Sequence, residues 1–118
     1  MLAITTTPAK RAAYAALAAA LLTASIVAIT RDGHLWQLFA FGAAPDVALF
    51  VGTGSGLAKG QLHPRAVPLY NALHRFIGPV ILAFVPGFLV GALAWGLHIA
   101  VDRAVGYGLR DRDGFQRA

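Results

Sequence analysis

The residues best suited to chemistry lie inside apolar stretches of the chain. His98 and Asp102 occur four residues apart in the run WGLHIAVDRAVGYGL, and Asn71 and His74 occur three residues apart in an earlier run. On a helix, both spacings place the two side chains on one face. Ionisable groups are costly in apolar surroundings, so these residues are candidates for a functional site.

A further carboxylate, Asp46, follows Pro45 in another apolar run. An aspartate inside a membrane span costs about 2.5 to 3.5 kcal/mol on insertion scales, so it needs a partner. Two imidazoles and two carboxylates suit zinc, manganese or iron(II), with Asn71 as an oxygen ligand or as a hydrogen-bond donor to a ligand. We therefore predict a divalent metal site. Its candidate ligands are Asp46, Asn71, His74, His98 and Asp102.

The composition is typical of an integral membrane protein. Of the 118 residues, 58% are hydrophobic and 13% are charged, which disfavours a soluble domain. The charged residues cluster between apolar runs, so the net charge of +5 indicates membrane topology and not a nucleic-acid-binding face. The chain has no cysteine, which excludes disulfides, thiolate ligands and cysteine nucleophiles. It also has no glutamate, so the predicted catalytic base is Asp46 or Asp102.

Four apolar runs predict an all-α integral membrane bundle of four transmembrane helices, forming a single domain over residues 1–118. The predicted spans cover residues 12–29, 35–52, 66–85 and 88–105. Glycine and proline mark the turns between them. The first run also resembles a signal peptide, but its apolar part continues to Thr30. The glycine-rich segment 52–64 lacks the GK[ST] ending of a phosphate loop and is interpreted as a flexible connection.

Charge counting favours four spans over three. A three-span alternative makes residues 66–77 a surface helix and residues 79–101 one crossing, which puts four C-terminal arginines opposite the other basic loops. With four spans only Arg31 lies on the side of the membrane opposite to the other basic loop residues, and Arg75 lies within the membrane. The residues on the basic side are then Lys10, Arg11, Lys59, Arg65, Arg103, Arg110, Arg112 and Arg117. The positive-inside tendency therefore predicts a multi-pass protein of the bacterial inner membrane with both termini cytoplasmic.

This topology brings the polar residues to a similar depth. At 1.5 Å per residue, Asp46, His74 and His98 lie roughly 8 to 14 Å from the cytoplasmic helix ends, and Asp102 lies about 5 Å from them. Arg75 is turned by about 100° from His74, so it reaches a different neighbour. The candidate ligands are thus expected to share one layer near the inner face.

The fourth run also carries a face for packing. Trp95 extends the face of His98, and next to it a small residue occurs at every fourth position. Small residues let another helix come close, either within the monomer or from a second copy of the chain. Alanines at positions 12, 16, 20, 24 and 28 form a similar stripe in the first run. Trp36, Tyr70 and Tyr107 are interpreted as interface anchors or packing groups.

Three functions remain open for the polar cluster. A metal-dependent hydrolase would act on an amphiphilic substrate reached from the inner leaflet. A structural or binding subunit would need no ligand, because Asp46 would pair with Arg75 and His98 with Asp102. A small proton- or ion-coupled transporter would use the same histidines and aspartates as a relay.

Several sequence blocks carry a family resemblance. They are Ala44-Pro45-Asp46, Leu69-Tyr70-Asn71 with His74 and Pro79, and Trp95, His98-Ile99, Asp102-Arg103-Ala104 and Gly106-Tyr107-Gly108-Leu109. Over residues 35–115 the chain resembles the small bacterial multi-pass membrane proteins catalogued as domain of unknown function 4260. The resemblance implies about four membrane helices, and it implies no assigned activity. The signature residues that it implies are Asp46, Asn71, His74, His98, Asp102 and Arg103.

Overall fold

All regular elements of the protein are helical. The computed structural model describes residues 7–116. The helices are α1 (Pro8–Asp32), α2 (Leu35–Ala43), α3 (Val47–Val51), α4 (Val67–Leu73), α5 (Ile77–Ala83) and α6 (Leu89–Ala104), with 3-10 turns at Ala44–Asp46 and Pro64–Ala66. Apart from an isolated antiparallel bridge between Arg110 and Gln116, residues 7–116 form no strand pairing. The predicted all-α class is confirmed.

Helix α1 contains the first predicted span. It begins where the Thr7 hydroxyl accepts a hydrogen bond from the Lys10 N–H, and it stops before Gly33, whose φ of 78° suits glycine. With 25 residues and a mean hydropathy of 2.1, α1 is long and apolar enough to cross a membrane. Among the described residues it is the one helix that meets both conditions, and it indicates membrane association by its length and composition.

The other predicted spans are less regular than α1. Residues Leu35–Val51 form a shorter apolar helical stretch, with a 3-10 turn at Pro45. The predicted span at residues 66–85 is two short helices, because α4 ends at Leu73 and α5 begins at Ile77. In a continuous helix the Pro79 ring would clash with the Arg75 carbonyl, which accounts for the break. Helix α6 occupies the fourth predicted span.

Helix α6 forms the centre of the bundle, and α1, α2 and α5 pack around it. The small residues of its predicted packing face, Ala92, Gly96 and Ala100, are buried. A Cβ added to Gly96 would lie 3.5 Å from Leu21 of α1 and 3.8 Å from Pro79 of α5. The small side chains thus allow α1 and α5 to approach α6 closely.

The packed face of α1 differs from the predicted alanine stripe. Ser25 and Ala28 are buried, whereas Ala12, Ala16 and Ala20 are exposed. Positions spaced by four residues turn about 40° at each step on a helix of 3.6 residues per turn. A stripe of four such steps winds about 160° around the axis, so one end of the stripe leaves the interface.

At one end of the bundle, Gln37 of α2 joins two other segments. Its side-chain N–H donates to the Gly87 carbonyl at 2.7 Å, and its side-chain oxygen accepts from the Gly91 N–H at 2.9 Å. Gly91 lies in the first turn of α6, where backbone N–H groups have no partner within the helix. The amide therefore links the start of α2, the turn before α6 and α6 itself.

At the other end, the start of α1, the segment after α6 and the connection 52–64 come together. Arg11 Nε donates to the Ala104 carbonyl at 2.9 Å, and the Leu62 N–H donates to the Gly114 carbonyl at 2.9 Å. Arg117, counted above with the basic side, lies outside the described residues. The basic residues described at this end are Lys10, Arg11, Lys59, Arg65, Arg103, Arg110 and Arg112.

Candidate metal centre

Four of the predicted ligands come from three separate parts of the chain. Asp46 ends the 3-10 turn that the buried Pro45 introduces after α2. His74 is the residue that follows α4, and His98 and Asp102 lie one turn apart on α6. The packing of α2 against α6, and of the 3-10 turn of Asp46 against both α4 and α6, therefore brings these side chains to one point.

The nitrogen and oxygen atoms of the four side chains lie as far apart as ligands of one metal ion do. His74 Nε2 lies 3.4 Å from both Asp46 Oδ1 and Asp102 Oδ2, and His98 Nε2 lies 3.1 and 3.4 Å from the same two oxygens. All four atoms lie within 4.8 Å of one another. Ligands about 2.1 Å from a shared tetrahedral ion are separated by about 3.4 Å, so the four nitrogen–oxygen separations fit a common ion.

The tautomer of each histidine is set by a backbone carbonyl. His74 Nδ1 lies 2.7 Å from the Tyr70 carbonyl oxygen, and His98 Nδ1 lies 2.7 Å from the Gly42 carbonyl oxygen. A carbonyl can only accept, so Nδ1 donates in both residues. In a neutral imidazole the lone pair then lies on Nε2, which is the atom that faces the carboxylates. Carbonyl acceptors of this kind orient the histidines of many metal sites.

Both Nε2 atoms are buried, and neither makes a hydrogen bond within residues 7–116. A buried polar atom without a partner is costly, so this arrangement favours a cation or a proton between the imidazoles and the carboxylates. Metal ligation uses neutral imidazoles and ionised carboxylates, so the four side chains would carry a charge of −2 as ligands. A divalent cation satisfies both the lone pairs and the charge, so the four residues fit the predicted metal.

The cluster is open on the carboxylate side. The side chain of His74 is 2% exposed, whereas that of Asp46 is 45% exposed. Next to the cluster, a groove of about 220 Å³ runs between α2 and α6. The groove is lined by Leu38, Gly42, Ala94, Leu97, His98, Val101 and Asp102. A molecule in this groove would reach two of the four candidate ligands.

Asn71 and Arg75 lie outside the cluster. Both polar atoms of Asn71 bind the backbone of Arg110, since Nδ2 donates to its carbonyl at 2.9 Å and Oδ1 accepts from its N–H at 2.8 Å. Arg75 is exposed, and within the described chain the ion-pair partners of Asp46 are His74 and His98. The pairing of Asp46 with Arg75 that the structural hypothesis required is therefore wrong.

Arg103 and Trp95 support the backbone on either side of His74. Arg103 Nη2 donates to the His74 carbonyl at 3.1 Å, and Trp95 Nε1 donates to the Leu73 carbonyl at 2.8 Å. These bonds satisfy carbonyls at the end of α4 that have no partner within the helix. Two of the predicted site residues thus hold the ligand-bearing turn in place.

Tyr70 is a packing group, which is one of the two predicted alternatives, but its contact with His74 was not predicted. It is 3% exposed, and its ring stacks on His74 with 3.9 Å between centroids and 14° between ring planes. It therefore does not serve as an interface anchor. The four-residue spacing from His74 was a signal for a shared helix face. The Gly42 carbonyl carries no signal in the sequence, because every residue has one.

The comparisons with known proteins identify the family. The family described as Domain of unknown function (DUF4260) matches residues 13–118, which is nearly the whole chain, and the protein belongs to it. The resemblance found in the sequence is confirmed. Neither a curated protein nor a solved structure matches the chain.

Proposed function

We propose that this family member is a metal-dependent hydrolase of the bacterial inner membrane that acts on an amphiphilic substrate. The observation that carries the proposal is the convergence of two buried imidazole nitrogens, each without a hydrogen bond inside residues 7–116, on two carboxylate oxygens. The donor set of two nitrogens and two oxygens suits zinc, manganese or iron(II).

The membrane location is supported by the apolar surface of the bundle. Large side chains on several helices are exposed, among them Ile26, Phe39, Phe50 and Ile81 at 54 to 79%. Soluble monomers rarely expose apolar patches of this extent. Most of the basic residues lie at the end of the bundle that contains the start of α1 and segment 108–116. This distribution supports a bundle of four spans with both termini cytoplasmic.

Each residue of the cluster has a distinct part in the proposed reaction. Three of the four side chains, His74, His98 and Asp102, would hold the ion and leave one tetrahedral position open for water beside Asp46, and the backbone carbonyls behind the histidines would fix their Nε2 atoms toward the ion. A bound divalent ion supplies a Lewis acid that polarises the scissile group and activates water at neutral pH. Asp46 is more exposed than Asp102, so Asp46 would be the general base that takes a proton from this water.

The groove beside the cluster supports an amphiphilic substrate. Leu38, Ala94, Leu97 and Val101 line the groove with apolar side chains, and His98 and Asp102 border it. An acyl chain along the apolar part would leave a polar group at the cluster. The substrate class is therefore an ester or a related hydrolysable group attached to an apolar chain.

A structural network is the second candidate for this cluster. The nitrogen–oxygen separations of 3.1 to 3.4 Å also suit protonated histidines paired with aspartates. In that case a proton on each Nε2 replaces the ion. This function predicts that Asp46→Asn lowers the melting temperature in detergent while the metal content of the protein stays at zero.

Metal analysis of protein purified in a mild detergent without chelators tests the proposal. We expect zinc, manganese or iron in stoichiometric amount, and we expect His74→Ala and His98→Ala to lose it. The control is His34→Ala, because His34 is an exposed residue in the connection between α1 and α2. A wild-type protein that stays free of metal when these ions are supplied would refute the proposal.

Activity on micellar carboxylic and phosphoric esters with acyl chains tests the assignment of Asp46. We expect Asp46→Asn to lower turnover about 10²-fold or more, since a general base contributes on that scale. The loss should persist at metal concentrations that restore full occupancy. Equal turnover of the variant and the wild type at equal occupancy would exclude Asp46 as the base.

A further inference from the structure

We propose that the C-terminal segment 108–116 is a positioning element for His74, acting through Arg110 and Tyr70. The proposal rests on the metal-binding part of the proposed function. It adds a group of residues that touch neither the ion nor the substrate but set the metal affinity of the site. It also assigns a role to a segment that lies beyond the last helix.

A stack of three side chains connects the segment to the site. The imidazole of His74 lies against the phenol ring of Tyr70, with 3.9 Å between centroids. The Arg110 guanidinium carbon lies over the same phenol ring, 4.7 Å from its centroid. Guanidinium groups are attracted to aromatic faces, so Arg110 restrains the tilt of the ring on which His74 rests.

Hydrogen bonds hold Arg110 and Tyr70 in this arrangement. The two bonds between the Asn71 side chain and the Arg110 backbone tie the segment to α4, next to Tyr70. Gln116 Nε2 donates to the Tyr70 hydroxyl at 3.1 Å, and Arg110 Nη1 donates to the Gly114 carbonyl at 2.8 Å. The segment is thus attached to Tyr70 at the phenol ring, at the hydroxyl and at the neighbouring residue.

The orientation of His74 depends on Tyr70 at two points. The Tyr70 carbonyl accepts the hydrogen bond from His74 Nδ1, and the Tyr70 ring supports the imidazole face. A ligand that is free to rotate about its side-chain bonds holds an ion less tightly, and loss of an outer-shell partner lowers metal affinity by about 10- to 100-fold. Loss of Arg110 should therefore act on affinity and leave the ligands present.

The coupling must act in both directions. If an ordered segment raises the metal affinity, then a bound metal must stabilise the ordered segment by the same factor. Metal binding should therefore slow amide hydrogen exchange in residues 108–116. This effect is measured on the wild-type protein, so it does not depend on whether a variant folds.

The test compares Arg110→Leu with Arg112→Leu in the full-length protein, using zinc for affinity and cobalt(II) for its absorption spectrum. Arg112 is an exposed arginine in the same segment, so its replacement removes the same charge. We expect Arg110→Leu to weaken zinc binding about tenfold or more and to change the cobalt spectrum. We expect Arg112→Leu to match the wild type and Arg110→Lys, which keeps a cation, to recover part of the affinity.

Equal zinc affinities of the two leucine variants would overturn the proposal. If Arg110→Leu does not fold, hydrogen exchange of the wild type decides, and unchanged exchange in residues 108–116 on addition of zinc would overturn it. A wild type that binds neither zinc nor cobalt would instead refute the metal site itself. The failure of the inference and the failure of the proposed function therefore give different results.

Discussion

Two buried polar side chains, Ser25 and Gln37, differ in whether their hydrogen bonds connect separate segments of the chain. Ser25 and Gln37 are each 1% exposed. The Ser25 hydroxyl donates to the Leu21 carbonyl of its own helix at 2.7 Å, so it adds no link to another segment. Gln37 instead satisfies the Gly87 carbonyl and the Gly91 N–H, which belong to other parts of the chain.

Replacement of Gln37 by leucine should destabilise the bundle. The Gly87 carbonyl and the Gly91 N–H would lose their partner, and an unpaired buried group costs about 1 to 3 kcal/mol. We expect the free energy of unfolding to fall by about 2 kcal/mol or more, measured by reversible unfolding in mixed detergent micelles. Ser25→Ala removes no hydrogen-bond partner from another segment, so its free energy of unfolding should stay within about 1 kcal/mol of the wild-type value. A similar effect of both changes would contradict this role of Gln37.

At the scale of elements, α6 presents different surfaces to its neighbours. One face of small residues receives α1, and the other carries Trp95, His98 and Asp102 toward α2, α4 and α5. A glycine of α5 makes room for the ring of Trp95. A Cβ added to Gly78 of α5 would lie 2.5 Å from the Trp95 ring. The position of the indole, and of the Leu73 carbonyl that it binds, depends on this glycine.

Gly78→Ala should therefore displace Trp95. Overpacking of a tight contact costs about 1 to 3 kcal/mol, so we expect a lower melting temperature. The matched control is Gly42→Ala, because a Cβ at Gly42 meets no atom within 4 Å. Alanine in a helix is preferred over glycine by about 0.5 to 1 kcal/mol, so the control should be neutral or stabilising. If the melting temperatures of the two variants were equal, the contact with Trp95 would not limit stability.

At the scale of the whole molecule, the two ends of the bundle differ in charge. One end carries Arg31 and Asp32 beside the turn before α6. The other end joins the start of α1, the connection 52–64 and segment 108–116, and it carries most of the basic residues. This distribution supports the proposed orientation, in which the basic end lies on the cytoplasmic side.

Cysteine labelling tests this orientation cleanly, because the chain has no cysteine of its own. His34→Cys places a thiol between α1 and α2, and Ser55→Cys places one in the connection 52–64. We expect a membrane-impermeant maleimide to label only the His34→Cys protein in intact cells, and to label both after the cells are opened. Labelling of the Ser55→Cys protein alone in intact cells would reverse the proposed orientation.

The sequence by itself determined the helical class, the family and a set of five candidate ligands that contains the four clustered side chains. Apolar runs and the four-residue spacing of His98 and Asp102 are local properties, and local periodicity defines which helix face a residue occupies. The same reasoning placed Asp46 and His74 at a similar depth. Their meeting was predictable because each is a polar group in an apolar run that needs a partner.

Only the tertiary structure decided how the helices are rotated about their axes and which groups form hydrogen bonds with the candidate ligands. The alanine stripe of α1 turns away from α6, and Asn71 binds Arg110 instead of joining the cluster. Helix rotation depends on the summed packing of all contacting side chains, which no single spacing encodes. The carbonyls that orient His74 and His98 are backbone atoms, so their roles exist only once the helices have packed.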